Sequence, residues 1–420
     1  MSTRLVRLFV CVALVALGAS CSSAPQRKQL TTATSPLIFI SLDGFAADYG
    51  DLYPTAMPNL QRLQHEGVAA QGLIPVFPSN TFPNHYTLVT GLYPAQHGMV
   101  NNEFFDATDG TFFRYQQSNA IRDSRWWGGE PIWVTAIKQG RLAATSFWVG
   151  SEAEIGGIRP TYWRTYDTRI PFETRLEEFV GWLQQPDDRR PAFIAIYLED
   201  TNGAGHRSGP QGAELIAAIK LVDQRIGEIL QQCKALGRTP NVVIVSDHGM
   251  TSVDPKRVSV LEDYIDTSAV QVETEGSVVG LRPLDGDTET LMKSVSNIPH
   301  TRAYRLEDLP AHFHVSANPR LSPVWILPEE GAHVAKRATV ERLRARYPFH
   351  GYLPGDHGYD PAFRSMHGLF IAHGPAFRTA ISLPAVENIH VYNLLCAILE
   401  LTPAPNPGDD RLVRAALRNR

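Results

Sequence analysis

Short apolar runs alternate with segments of helical periodicity along most of the chain. The runs are rich in Ile, Val and Phe, which is typical of strands that are buried on both faces. We predict strands at Leu37–Leu42, Ala144–Val149, Ala192–Leu198, Val242–Val245 and Leu369–Ala372. The helical pattern predicts helices at Met57–Glu66, Pro83–Thr90, Pro131–Gln139, Gly212–Leu236 and His390–Leu401. This alternation predicts an α/β fold, a three-layer sandwich whose mostly parallel central sheet is covered by helices on both faces.

Acidic residues, an asparagine and histidines lie close to the ends of these predicted strands. They are Asp43, Asp200, Asn202, His206, Asp247, His248, Asp356 and His357. Taken singly, each is more typical of a turn or a helix cap than of a site. Because the carboxyl ends of parallel strands meet at one edge of a sheet, we expect most of these residues to lie close together. Carboxylates with imidazoles favour zinc or a similar divalent ion, and two such ions can stabilise the attacking and leaving oxygens of a phosphoryl transfer.

Thr81 lies where a loop meets a predicted helix. The free backbone N–H groups and the dipole of a helix N-terminus can stabilise a phosphoryl oxyanion beside such a hydroxyl. A nucleophile would therefore be well placed here. Thr81 could also be only an N-cap, with Pro83 tolerated in the first turn. The segment alone leaves both interpretations open.

The composition excludes some classes of partner. The chain has 420 residues, 43% hydrophobic and 20% charged, which is enough for one large α/β domain or two ordinary ones. Its formal net charge of −4 gives no general attraction to nucleic acid or anionic lipid. We therefore expect a small-molecule substrate and no nucleic-acid partner, and an anionic substrate must be held by a local site.

The N-terminus predicts export. Arg4 and Arg7 precede the apolar run Leu8–Leu17, and small residues lead to Cys21, so residues 1–21 are predicted to be a signal peptide. The segment before Cys21 also resembles a bacterial lipoprotein cleavage box, while simple cleavage and secretion is the alternative. Residues 22–35 are polar and are predicted to form a flexible linker. We expect a periplasmic or lipid-anchored outer-membrane protein, otherwise a secreted one, with membrane contact only through that anchor.

The remaining chain, residues 36–415, is predicted to be one catalytic domain. The stretch at about 270–336 lacks the alternation and is predicted to be an insertion. It contains His312 and His314, for which we favour surface or packing roles over metal binding. Cys233 and Cys396 are predicted to be buried free thiols, although an oxidising compartment would permit a disulfide if they were close.

Six motifs together resemble the nucleotide pyrophosphatase/phosphodiesterase family of the alkaline phosphatase superfamily. They are SLDGF at Ser41–Phe45, TFPNHYTLVTGLYP at Thr81–Pro94, HGMVNN at His97–Asn102, GGEPIW at Gly128–Trp133, SDHGM at Ser246–Met250 and HGYD at His357–Asp360. They follow the family order over nearly the whole mature chain. The resemblance implies an alkaline phosphatase-like fold and favours Thr81 as the nucleophile, a role that an N-cap can share.

The resemblance also implies two zinc ions. The residues that it assigns to them are Asp43, Thr81, Asp247 and His248 for the first ion, and Asn202, His206 and His357 for the second. The first ion would lower the pKa of the Thr81 hydroxyl, and hydrolysis would run through a covalent phosphothreonine. Asn102 matches a position whose amide assists a phosphate oxygen, and Phe82 and Tyr197 match positions that flank a nucleobase. Strand packing is the alternative for Tyr197, and packing is equally open for Trp126, Trp127 and Trp133.

Asn202 departs from the family pattern, which has an aspartate four residues before the histidine. An amide brings no negative charge, so we expect a functional second site that binds its metal more weakly. If the segment is extended, Asp200 points to the same side as Asn202 and could replace the missing carboxylate.

These expectations together indicate an exported, zinc-dependent phosphodiesterase or pyrophosphatase that releases nucleoside monophosphates. The alternatives are a phospholipase C-type or phosphomonoesterase member of the superfamily, or a metal-weakened nucleotide-binding protein. No pattern in the sequence specifies an oligomeric state.

Overall fold

The apolar runs form the central sheet of the computed structural model, which describes residues 35–418. Its strands in chain order are β1 (Leu37–Leu42), β2 (Val68–Ala70), β3 (Ala143–Ser146), β4 (Tyr162–Arg164), β5 (Phe193–Leu198), β6 (Asn241–Val245), β7 (Phe370–His373) and β8 (Ile381–Leu383). Their spatial order is β8-β2-β7-β6-β1-β5-β3-β4. Only β7 runs antiparallel to its neighbours in this sheet. The predicted mostly parallel sheet is confirmed.

Helices cover both faces of this sheet. The longer ones are α1 (Pro58–Glu66), α2 (Thr81–Thr90), α3 (Ile132–Lys138), α4 (Phe172–Gln184), α5 (Asp200–Ser208), α6 (Ala213–Ala235), α7 (Thr288–Val295), α8 (Arg337–Arg346) and α9 (Val391–Ile398). Shorter ones lie at Tyr49–Leu52, Pro94–His97, Ser118–Arg122 and Arg411–Ala416.

Alternate residues of β1 belong to two hydrophobic cores. Phe39 packs with α2, α3 and α9 on one face of the sheet, and Ile38 and Ile40 pack with α1, α4 and α6 on the other. This is the period of two that a doubly buried strand requires. The three-layer α/β sandwich is therefore confirmed.

The predicted strands and helices all appear, with shifted ends. Four of the longer helices were not predicted, α4, α5, α7 and α8. Helix α5 contains Gly203 and Gly205 and no apolar stripe, so its sequence gives no helical signal.

The predicted insertion carries its own small sheet. Strands Val270–Thr274, Val279–Pro283, Val324–Pro328 and Thr301–Arg305 pair antiparallel in that spatial order, and α7 packs on them in a separate hydrophobic core. Arg320 ties this region to the main fold, because its Nε donates to Asp106 Oδ2 at 2.8 Å and its Nη1 to the Gly98 carbonyl at 2.9 Å. Ser277 also donates to the His357 carbonyl, which joins the insertion to the strand-end residues.

The two body cysteines lie on opposite faces of the sheet, Cys233 in the core with Ile38 and Cys396 in the core with Phe39. Both are free and buried, as predicted. The predicted signal segment 1–21, with Cys21, and all but the last residue of the predicted linker 22–35 lie outside the described residues. Between residues 35 and 418, no helix has the length and apolar character needed to cross a membrane.

Candidate metal centre and active site

Helix α2 places Thr81 at the start of its first turn. The helix begins at Thr81, two residues before the predicted start, and its N-cap is Asn80. The interpretation of Thr81 as the N-cap is therefore wrong. Asn84 fixes the preceding loop, since its Oδ1 accepts from Val76 N at 2.7 Å and its Nδ2 donates to the Pro78 carbonyl at 3.0 Å. Gly91, at φ 66°, ends the helix in the left-handed conformation.

The ends of the adjacent strands β1 and β6 bring Asp43, Asp247 and His248 together beside Thr81. His248 Nε2 lies 3.4 Å from Asp43 Oδ1, 3.1 Å from Asp247 Oδ2 and 3.3 Å from Thr81 Oγ1. Ligands held about 2.0 Å from a tetrahedral zinc ion are separated by about 3.3 Å. His248 Nε2 thus lies at the spacing of zinc ligands from each of the other three side chains assigned to the first ion.

The hydrogen bonding of this first cluster also fits a cation. Asp43 Oδ1 and Asp247 Oδ2 are buried and accept no hydrogen bond, while His248 Nδ1 is occupied by the Gly249 carbonyl at 2.9 Å, which leaves Nε2 facing the carboxylates. Burial, with the charge of Asp247, raises the pKa of Asp43 to about 7. Burial alone would lower the pKa of His248, but Asp247 and Asp43 outweigh it and raise that pKa to about 9. A divalent ion would balance the two buried carboxylates.

A second cluster consists of His206, Asp356 and His357, with one ligand atom of each within 4.8 Å of the others. His206 Nδ1 lies 2.9 Å from the Gly355 carbonyl and His357 Nδ1 lies 3.0 Å from the Ser79 carbonyl, so each ring keeps its Nε2 for another partner. The rings of His357 and His248 stack at 3.6 Å, which makes the two clusters neighbours. Burial and the adjacent histidines hold the pKa of His357 well below its usual range, so this ring stays neutral and able to bind a metal.

Asp356 was noticed in the sequence beside His357 but was not assigned as a ligand. Burial would raise the pKa of Asp356, but His333 and the other nearby histidines lower it below its usual value. Its carboxylate is therefore ionised. The contact with His333 crosses from the predicted insertion to the residues beside His357, and no local sequence signal predicts it.

The predicted substitution of Asp200 for Asn202 is wrong. Both residues lie on α5, not on an extended segment, so side chains two positions apart point to different sides. Asp200 pairs with Arg225, whereas Asn202 faces the cavity described below. Asn202 Oδ1 is buried and has no hydrogen-bond partner.

Asn102 is held against the start of α2. Its Oδ1 accepts from Phe82 N at 2.8 Å, and its own backbone N–H donates to Asn101 Oδ1 at 2.8 Å. This arrangement leaves the Asn102 amide NH₂ available beside Thr81, and it occupies the N–H group of Phe82. Both Asn102 and Phe82 line the same cavity as Thr81.

A cavity of about 610 Å³ opens over both clusters. Asp43, Thr81, His206 and His357 form its polar floor, and aromatic residues form much of its wall. These aromatic residues are Phe82, Tyr115, Phe147, Trp148, Tyr166 and Tyr197. A second, polar cavity of about 390 Å³ shares Asn102, Tyr115, His206 and His357 with the first. The two cavities therefore meet at the second cluster.

Tyr197 is mostly packed rather than free in the cavity. Its ring is 7% exposed, lies edge-on to His85, and its hydroxyl donates to Asp43 Oδ2. The open aromatic surface belongs to Tyr115 and Tyr166, which are 44% and 46% exposed. Neither residue was predicted from the sequence, and Tyr166 follows the short strand β4, which was not predicted either.

Other aromatic residues and histidines singled out in the sequence lie elsewhere. Three tryptophans have a packing role, because they are buried in the core and do not line the larger cavity: Trp126, Trp127 and Trp133. His312 and His314 lie at a 3₁₀ turn of the insertion, His312 at 2.9 Å from Asp360 and His314 stacked on Tyr93. Neither belongs to a candidate metal group of the described residues.

Buried His85, one turn after Thr81, was missed although it lies within a quoted motif. Its Nδ1 lies 2.9 Å from the Thr81 carbonyl and 3.2 Å from Asp247 Oδ2, and its Nε2 lies 2.9 Å from Ser41 Oγ. It thus connects the start of α2 to the first cluster.

Comparison with known proteins gives a consistent result. The model of the family "Type I phosphodiesterase / nucleotide pyrophosphatase" matches residues 37–360. A venom phosphodiesterase of Naja atra is 36% identical over 92% of this chain and 46% of its own length. Ectonucleotide pyrophosphatase/phosphodiesterase family member 1 of Homo sapiens is 35% identical over 92% of this chain and 42% of its own length. The chain thus spans about half the length of the curated relatives it matches.

Solved structures cover the chain more completely. Human ectonucleotide pyrophosphatase/phosphodiesterase 5 superposes with a TM-score of 0.84 at 30% identity, over 91% of this chain and all of that one. An inactive variant of the murine protein in complex with AMP gives the same TM-score and identity over 92% of this chain and 100% of its own.

Proposed function

The chain belongs to the type I phosphodiesterase/nucleotide pyrophosphatase family, and from this premise we propose that it hydrolyses phosphodiester or pyrophosphate bonds of nucleotides to nucleoside monophosphates. One observation carries the proposal. The Thr81 hydroxyl, at the first turn of a helix, lies 3.3 Å from His248 Nε2 beside two buried carboxylate oxygens that accept no hydrogen bond. A hydroxyl in that position is suited to attack phosphorus.

Two zinc ions are the proposed cofactors, held by Asp43, Asp247 and His248 with Thr81 in the first cluster, and by His206 and His357 in the second. Carboxylate and imidazole ligands suit zinc. When bound, the ions would supply the positive charge that lowers the pKa of the Thr81 hydroxyl and balances the charge of the phosphate.

Thr81 Oγ1 then forms a bond to phosphorus while the bond from phosphorus to the leaving oxygen breaks. Thr81 gives up its hydroxyl proton, and the leaving oxygen gains one. Water subsequently cleaves the phosphothreonine, which releases the nucleoside monophosphate and restores the hydroxyl. Asn102 assists both steps, because its Oδ1 is held by Phe82 N and its NH₂ can donate to a non-bridging phosphate oxygen.

The larger cavity is the proposed nucleoside site. Phe82, Tyr115 and Tyr166 offer aromatic surface, and stacking tolerates any base. Tyr197, which the family resemblance also suggested, would contribute mainly by orienting Asp43 through its hydroxyl. The murine neighbour was solved in complex with AMP, which supports a nucleotide as the ligand. The leaving group would extend into the polar cavity on the side of the second cluster.

Export is also proposed. Residues 1–21 have the pattern of a signal peptide, and several relatives are named as venom or ectonucleotide enzymes. A lipid on Cys21 would anchor the protein at the periplasmic side of a bacterial membrane, with the linker 22–35 as a tether.

Three chromogenic substrates test the proposed activity. We expect the nitrophenyl ester of thymidine monophosphate to be hydrolysed with a higher kcat/KM than nitrophenyl phosphorylcholine or nitrophenyl phosphate. A preference for the choline ester would favour a phospholipase C-type enzyme, and a preference for the monoester would favour a phosphomonoesterase. Nucleotide binding without turnover of any substrate would contradict the proposed hydrolysis.

A further inference from the structure

The two clusters differ in their charge. The first contains two carboxylates, Asp43 and Asp247, whereas the second contains only Asp356 among the groups that the described residues bring together. Asn202 faces the same cavity, but its amide is neutral, and its buried Oδ1 has no hydrogen-bond partner. A divalent ion in the second cluster would therefore depend on Asp356 for negative charge.

The position of Asp356 relative to His206 is informative. Its Oδ1 lies 3.5 Å from His206 Nδ1, and the carbonyl of the preceding Gly355 lies 2.9 Å from the same nitrogen. With Nδ1 directed at these oxygens, Nε2 is the nitrogen of His206 that remains for a metal. A carboxylate behind a histidine makes the ring a stronger ligand and fixes its orientation.

A second histidine holds Asp356 from the other side. His333 Nε2 lies 2.7 Å from Asp356 Oδ2, and His333 Nδ1 lies 3.3 Å from the hydroxyl of Tyr352. The rings of His333 and Tyr352 are buried, and His333 lies on the strand His333–Ala335, whose backbone is fixed by pairing with Val258–Val260. Asp356 is therefore confined between a buried imidazole, His333, and a partly buried one, His206.

We propose that Asp356, rather than residue 202, supplies the negative charge of the second metal position, acting as a positioning residue behind His206 and held there by His333. The inference rests on the proposed two-metal site. It also changes the expectation for Asn202: the second site is not weakened by the amide, because its charge comes from a different part of the chain.

Zinc binding to the full chain tests this inference without reference to turnover. The metal-free protein is titrated with zinc in competition with a chromophoric chelator. We expect two bound ions in the wild type, and in Asp356→Asn a loss of about 10–100-fold in the affinity of one of them, the usual effect of removing such a carboxylate. The other ion should keep its affinity.

Asp360→Asn is the matched control, since Asp360 is four residues away and contacts His312 at 2.9 Å. We expect both zinc affinities of this variant to equal those of the wild type. Unchanged affinities in Asp356→Asn, an equal loss in the control, or a wild type that binds a single zinc ion would each overturn the inference.

Asn202→Asp provides an independent test that leaves Asp356 intact. Because Asp356 already supplies the negative charge, we expect Asn202→Asp to raise zinc affinity by a smaller factor than Asp356→Asn lowers it. In the double variant, we expect Asn202→Asp to recover most of the affinity that Asp356→Asn loses. A gain of about 10–100-fold from Asn202→Asp alone would overturn the inference. Should Asp356→Asn fail to fold, the effect of Asn202→Asp alone on zinc affinity decides. A wild type that binds two zinc ions but hydrolyses no diester would contradict the proposed function and leave this inference standing.

Discussion

One hydrogen bond links the nucleophile helix to the residue expected to assist the phosphate. Asn102 Oδ1 accepts from Phe82 N at 2.8 Å, which orients the amide so that its NH₂ faces the cavity beside Thr81. The side chain has two separable functions, because one end holds the helix start and the other end donates.

Substitution at Asn102 separates these functions. We expect Asn102→Ala to lower kcat by about 10²–10³-fold, as the loss of one oxyanion donor does in other enzymes. Asn102→Asp keeps an acceptor for Phe82 N but loses the donor and adds a negative charge, so we expect at least the same loss. Steady-state kinetics with the thymidine monophosphate ester measure both, and a kcat for Asn102→Asp close to that of the wild type would contradict the assigned role.

The two body thiols should be inert in the folded protein. Burial raises the pKa of Cys233 and of Cys396 to about 12, above the ordinary thiol value, so the unreactive protonated form dominates from pH 7 to pH 9. In a variant without Cys11 and Cys21, we expect a thiol-specific disulfide reagent to modify neither residue until urea unfolds the chain. Rapid modification under native conditions would contradict their burial.

At the scale of single residues, the sequence predicts those contacts that follow from strand order alone. Asp43, Asp247 and His248 follow adjacent parallel strands, so their meeting requires only the correct fold. The contact of Asp356 with His333 depends on the insertion and on a short strand pair outside the central sheet, which no pattern in the sequence specifies. Tyr166 was missed for a similar reason, since only the folded chain shows that its ring is exposed beside the cavity.

At the scale of elements, α1 depends on a residue of another helix. Its own N-cap, Met57, forms no side-chain hydrogen bond, but Asp223 of α6 accepts from Asn59 N at 3.2 Å and from Leu60 N at 2.8 Å. The buried carboxylate thus satisfies two backbone donors at the start of α1 and fixes it against α6.

Removal of this carboxylate should destabilise the fold without changing the site. We expect Asp223→Ala to lower the free energy of unfolding by about 1–3 kcal/mol, because buried N–H groups lose their acceptors. Asp223→Asn keeps an acceptor oxygen and should cost less. Urea denaturation measures both variants, and equal stabilities of the alanine variant and the wild type would show that Asp223 does not cap α1.

Helix α5 shows why element prediction failed near the site. Its glycines are poor helix formers, but Gly205 permits close packing, because a Cβ there would lie 2.8 Å from Met250 Cε. Gly44, just after β1, likewise lets α5 approach, since a Cβ there would lie 3.0 Å from Asn202 Cα. Tertiary contacts therefore stabilise a helix that local propensity disfavours. The long apolar strands and helices such as α1 and α6 were predictable because their burial follows a regular period.

At the scale of the whole molecule, the net charge of −4 is less informative than the local charges of the two cavities. The polar cavity is lined by Glu103, Arg114, Glu273, Glu275 and Lys336, beside the second cluster. Arg114 Nε lies 3.7 Å from Glu103, and Lys336 Nζ lies 4.0 Å from Glu275. Arg114 and Lys336 are therefore each already paired with a glutamate, which should disfavour a polyanionic leaving group in this cavity.

Glu103→Gln tests this charge pattern. Freeing Arg114 should raise kcat/KM for a nucleoside triphosphate relative to the nitrophenyl ester, by about fivefold at most, the energy scale of an exposed ion pair. Glu307→Gln, in the insertion and outside this cavity, should leave the ratio unchanged. An unchanged ratio in Glu103→Gln would mean that the polar cavity does not hold the leaving group.

The most direct test of the proposed mechanism is hydrolysis of the nitrophenyl ester of thymidine monophosphate by metal-free protein titrated with zinc, with Thr81→Ala in parallel. We predict turnover that appears with zinc in the wild type and is absent from Thr81→Ala at every zinc concentration, although this variant still binds zinc through the remaining ligands. Equal turnover in Thr81→Ala, or no turnover of the wild type at saturating zinc, would contradict the assignment of Thr81 as the metal-activated nucleophile.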